Sequence, residues 1–204
     1  YSTQQCWTPA SFAIAVAGLA LLLALAAAAQ TAQVPGPEGN AETGLAFPNM
    51  IGPARKVGSI DYSRTKGMPE LGWGWNYEAQ AITTTFYIYN FGIASIPSGA
   101  TGSAVLTQFQ QAIADIEIGA RAGRYEQMKP SQGPGNCTVG AMVFRCVTFT
   151  AVLSRDKRPV FTRLFVTGYR NYFLKIRQDW PQNSPAAGRE VDAVIQAFVG
   201  SASP

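Results

Sequence analysis

The chain contains no histidine. That absence removes Ser-His-Asp and Cys-His nucleophile activation, together with the side chain most often used as a general base near neutral pH. Charge is also scarce, at 14% of 204 residues. Cysteine occurs three times, at Cys6, Cys137 and Cys146. Imidazole and thiolate therefore cannot together make up a four-ligand metal site. The Gly-rich stretch QGPGN lacks the Lys-Ser/Thr pair that a phosphate-binding loop needs, and no cofactor motif is present. These gaps argue against an enzyme.

One long apolar run is present. Residues 12–29, FAIAVAGLALLLALAAAA, carry no charge and no strong polar group. Eighteen residues lie at the lower edge of a membrane span. The small residues at 27–29, followed by polar QTAQ, also match the end of a secretory signal. Residues 1–29 are expected to be a signal peptide, or an N-terminal membrane anchor if retained. Export to the periplasm or outside the cell follows, and the only membrane contact expected is through residues 12–29.

Residues 30–46 are rich in Pro, Gly, Ala, Gln and Glu and read as a flexible linker. Residues 47–204 read as a single α+β domain. In an oxidising compartment the two remaining cysteines, Cys137 and Cys146, are expected to pair. Nine steps of straight strand would hold their Cα atoms roughly 30 Å apart, whereas a disulfide needs about 5–6 Å. Pairing therefore requires the chain to turn back within TVGAM, at Gly140. The alternative is two unpaired buried thiols.

Strand signals dominate the domain. SIDYS (59–63), GWGWNYE (72–78) and ITTTFYIYNFG (82–92) are followed by a helix over 104–119, with apolar residues at spacings of three and four. RYEQMK (124–129) reads as a further strand leading into a PSQGPGN loop. Three more strands follow, at about 141–153, 159–167 and 172–179. Ser184-Pro185 then opens a last helix, with Val191, Val194, Ile195 and Phe198 as its apolar stripe. Short connections favour antiparallel pairing. The expected fold is α+β, a mainly antiparallel β-sheet with two packed helices in a layered sandwich.

This order of elements resembles the PsbP/Mog1-type sandwich over roughly residues 55–200. The TTTFYIYNFG strand before the IPSG loop, and the TGYRNYFLKIR hairpin, are similar to segments of uncharacterised exported bacterial proteins. The resemblance implies an assembly or docking role rather than catalysis, and it transfers no functional residue.

Charge is unevenly spread. Residues 121–177 hold eleven basic and two acidic residues, a net of +9, while residues 30–120 hold four basic and seven acidic, a net of −3. A three-residue loop at 169–171 would face Val166 with Leu174 and Leu164 with Ile176. The opposite face would then carry Arg163, Lys175 and Arg177 among Phe161, Phe165 and Phe173. The plainest account of that face is a surface covered by a helix. The functional account is a docking surface for an acidic partner protein or an anionic envelope component. Export argues against nucleic acid.

Two other constellations stand out. If the first two aromatic strands pair with odd positions on one face, Trp73, Trp75 and Tyr87 could line a pocket for a small ligand, lipid or carbohydrate; core packing is the rival role. A carboxylate-dependent hydrolase would need Asp61, Glu70 and Glu78 to converge. Asp115 and Glu117, two positions and about 200° around one helix, point away from each other.

Overall fold

The computed structural model describes residues 38–66 and 69–202. The expected signal or anchor at 1–29, and residues 30–37 of the expected linker, lie outside the described residues.

The described residues form ten strands, three α-helices and a 3-10 turn at Pro69–Leu71, in order: β1 (Gly39–Asn40), β2 (Leu45–Ala46), β3 (Met50–Ile51), β4 (Ala54–Asp61), α1 (Tyr62–Lys66), β5 (Trp73–Ala79) and β6 (Ile82–Tyr89). Then come α2 (Ser103–Arg121), β7 (Tyr125–Val139), β8 (Met142–Leu153), β9 (Pro159–Tyr169), β10 (Tyr172–Pro181) and α3 (Pro185–Ser201). β1 and β2 form a small hairpin of their own. The rest make one eight-stranded sheet in the order β3-β4-β5-β6-β10-β9-β8-β7. Every pair in it is antiparallel. The α+β class expected from the sequence is present, with a third, short helix in α1.

The two long helices lie on opposite faces of the sheet. Side chains alternate along a strand, so neighbours on β10 go to different cores. Leu174 and Ile176 join Phe165, Phe86, Trp75 and Phe198 beneath α3. Phe173 joins Val166, Leu164, Val147 and Phe109 beneath α2. Cover on both sides explains why Leu164 to Gly168 of β9 are buried in succession rather than at alternate positions. Ser184 caps α3 by accepting a hydrogen bond from Ala187 N at 3.2 Å, with Pro185 in the first turn.

Two stretches depart from expectation. Of the 30–46 segment, the described part is structured: Asn40 Oδ1 accepts from Thr43 N at 3.0 Å, and Leu45 is only 1% exposed. One leucine beside the buried Phe47 is enough to anchor a segment whose average composition is polar. β7 also runs straight through PSQGPGN, which composition assigned to a loop. It is the last strand of the sheet, so Pro130 and Pro134 meet no partner on the outer side. Register shifts between Glu126 and Gly135 absorb their missing N–H groups.

The β7–β8 turn falls at Gly140, whose φ of +53° suits glycine. It brings Cys137 and Cys146 together in a disulfide with Cα atoms 5.9 Å apart. Closing a loop of that length contributes roughly 2–3 kcal/mol on the chain-entropy view.

Candidate functional site

The β9–β10 hairpin decides where the basic residues point. Its loop has two residues, not three: Tyr169 pairs with Tyr172, and Arg170 and Asn171 both adopt left-handed backbone, at φ 47° and 68°. Such turns match the twist of the flanking strands. Asn171 tolerates the conformation and is held in it, since Ile96 N donates to its Oδ1 at 2.7 Å and its Nδ2 donates to Ala94 O at 3.3 Å. One residue less in the loop shifts the register by one and swaps faces. Arg163 now pairs with Gln178, Val166 with Lys175 and Leu164 with Arg177. The expected single surface of three cations is therefore not formed.

Arg163 lies on the α3 side. Its Nη2 donates to Gln178 Oε1 at 2.9 Å and to Asp192 Oδ1 at 2.6 Å. The guanidinium sits 5.0 Å from the Phe165 ring centre and 4.9 Å from that of Trp180. Gln178 is itself fully buried and donates to Val191 O at 2.8 Å. This side chain ties the sheet to α3, and its charge is already met by Asp192.

Lys175 and Arg177 project from the α2 side. α2 covers β8 and β9, while β4, β5 and β6 carry Ile60, Glu78 and Thr83 exposed on the same face. The two cations thus lie along the line where the helix cover ends. Lys175 Nζ is 4.4 Å from the Tyr87 ring centre and 5.3 Å from that of Tyr89. Burial pushes its pKa down to about 8, with Arg177 adding to the effect and Asp115 on α2 opposing it. Arg177 Nη2 donates to Tyr125 Oη at 2.8 Å, and the Tyr125 hydroxyl donates to Asp179 Oδ2 at 3.3 Å. Arg124 stacks on the same Tyr125 ring at 5.5 Å. Among the described residues, Lys175, Arg177 and Arg124 have no carboxylate within ion-pair distance. The result is a patch of sheet face in which three cations pack against the rings of Tyr87 and Tyr125.

Arg124 and Tyr125 escaped the sequence reading. The available signal was their place at the start of the +9 stretch, directly after the helix. What the sequence could not show is that the end of α2 returns them to β10.

The aromatic trio is also separated. β5 and β6 join through a two-residue turn, Gln80-Ala81, so Trp75 faces Phe86 and Tyr87 faces Gly74. Odd positions of β5 therefore share a face with even positions of β6. Trp75 is 0% exposed and stacks on Phe47 at 3.8 Å between ring centres. The space beside it is filled core, and Tyr87 points the other way. Trp73 alone borders a depression of about 480 Å³, together with Tyr172, Glu42 and Glu70.

The carboxylates do not converge. Asp61 accepts from Ser63 N and pairs with Arg64 at the start of α1. Glu70 lines the depression beside Trp73, and Glu78 lines a separate one of about 340 Å³ with Arg124 and Asp179. Among the described residues, no group of three or more His, Cys, Asp or Glu side chains is placed to hold a metal ion. Nor is any described helix long and apolar enough to cross a membrane.

Compared with family models, curated proteins and solved structures, the chain gives no match.

Proposed function

We propose that the chain is an exported protein that acts by binding rather than by catalysis, and that its contact surface is the patch around Lys175 and Arg177. One observation carries the reading. Two basic side chains on a half-covered sheet face, with Arg124 beside them, pack against aromatic rings and have no carboxylate within ion-pair distance among the described residues, Asp179 being reached only through the Tyr125 hydroxyl. Cations left in that state favour an incoming acidic group, from a partner protein or an anionic envelope component. Arg163, grouped with them by sequence, has a structural role instead.

The apolar segment 12–29 and the Cys137–Cys146 pair support a periplasmic or secreted location, with membrane attachment if that segment is retained. The resemblance to PsbP/Mog1-type sandwiches points to the same non-enzymatic docking role. No cofactor and no nucleic acid enter this reading.

The test is retention on immobilised polyglutamate and on phosphatidylglycerol vesicles, alongside capture from an envelope extract. Wild type is compared with Lys175→Gln/Arg177→Gln at low and physiological salt. Retention lost in a double variant that still unfolds in one cooperative transition supports this surface. Equal retention of both proteins overturns it.

A further inference from the structure

A cavity lies away from that patch, at the end of the sheet where β9 finishes and β8 begins. It measures about 720 Å³ and is bounded by the C-terminal end of α3, the β7–β8 turn and the loop at Ser98-Gly99. Its size falls within the ~300–1,000 Å³ usual for small-ligand clefts. Ala141, Met142, Val143, Val199 and Ala202 give it a mainly apolar lining.

The cleft is built into the backbone. Gly99 and Gly168 exchange two hydrogen bonds of 2.9 Å, which bring the 97–99 loop down against β9. A Cβ at position 168 would lie 2.0 Å from Pro97 O, so only glycine permits that approach. On the opposite wall, the end of α3 is already satisfied: Ala202 N donates to Phe198 O and Val199 O, and the Tyr169 hydroxyl donates to Ala202 O. No described backbone cap there depends on a ligand.

Charge selects the occupant. Among the described residues that line the cleft, Arg170 alone is charged. Its Nη1 donates to Thr43 O at 2.9 Å and its guanidinium stacks on Tyr169 at 5.5 Å, with no carboxylate within ion-pair distance among the described residues. A guanidinium has five N–H donors, so most remain for a ligand.

We propose that this cleft binds a single-chain amphiphile with a carboxylate head, the apolar chain lying along Val143 and Val199 and the head meeting Arg170. The residues do not overlap with the Lys175 patch, so either site can stand without the other.

The test uses full-length protein and displacement of fluorescent cis-parinarate by dodecanoate or dodecanol. Val143→Trp fills the cleft from a strand position that is 40% exposed and suits an aromatic side chain. Ala141→Phe fills it from the turn. Both variants should weaken dodecanoate binding by at least about tenfold at unchanged melting temperature. Arg170→Asn keeps a residue that tolerates the left-handed turn while removing the charge. It should weaken dodecanoate about tenfold and leave dodecanol within about twofold, as the loss of one charge-assisted hydrogen bond requires. No binding by wild type, or wild-type affinity in both filled variants, overturns the site. Equal weakening of acid and alcohol by Arg170→Asn overturns the carboxylate head.

Discussion

Arg163 and Lys175 project from opposite faces of one sheet, because Arg163 pairs across the hairpin with Gln178 while Lys175 pairs with Val166. Arg163 is sealed against α3 by Asp192, Phe165 and Trp180. Lys175 lies at the margin of α2 between two tyrosines. Residues that composition places in one patch therefore answer to different tests.

Arg163→Ala should destabilise the fold by about 2–3 kcal/mol, since it leaves the buried Gln178 carbonyl without its donor and removes two ring contacts. Arg163→Lys should recover little, because an ammonium cannot stack and fork as a guanidinium does. Urea unfolding measures both. Retention on polyglutamate by the folded variant should be unchanged.

Lys175 should make stability depend on pH in a defined window. Its folded pKa, about 8, lies below its unfolded value of 10.5, so between those values the unfolded chain binds more protons. Its contribution to stability therefore rises as pH rises from 8 to 10.5 and is lowest below 8. The neighbouring Tyr87 and Tyr89, raised by burial, act in the opposite direction above pH 10. Comparison with Lys175→Met removes their effect. The variant should be more stable than wild type at pH 7, by about 3 kcal/mol at most, and the difference should shrink towards pH 10. A constant difference would remove the buried-amine account.

Trp75→Ala should cost about 3–5 kcal/mol, as a fully buried ring stacked on Phe47 demands. Trp73→Ala, at a half-buried position beside a depression, should cost clearly less. Similar losses on thermal unfolding would contradict the separation of these two side chains.

Gly168→Ala should destabilise by about 1–3 kcal/mol through the clash with Pro97 O. Amide exchange at Gly99 should accelerate, since its hydrogen bond to Gly168 O opens. Unchanged exchange there would mean that the loop is held by other contacts.

Much of the fold was legible along the chain. β-branched and aromatic runs marked β5, β6 and β8 to β10, Ser184-Pro185 marked the start of α3, and the geometry of a disulfide demanded a turn at Gly140. These signals are local: each depends on side-chain period, a cap or a covalent distance. The composition of 38–46 and of PSQGPGN misled for the same reason, because an average over residues cannot register one buried leucine or the special freedom of an edge strand.

The candidate site depended on parity, and parity is not local. Whether Arg163 shares a face with Lys175, or Trp75 with Tyr87, turns on a single residue in each hairpin loop. Nothing in the strands themselves distinguishes the two outcomes. Residue types therefore determined that this chain would form an antiparallel sheet with a basic half and no histidine chemistry. The tertiary structure decided which cations face the solvent edge of α2, because only there do the Ile96 and Ala94 contacts of Asn171 hold the two-residue turn and its register.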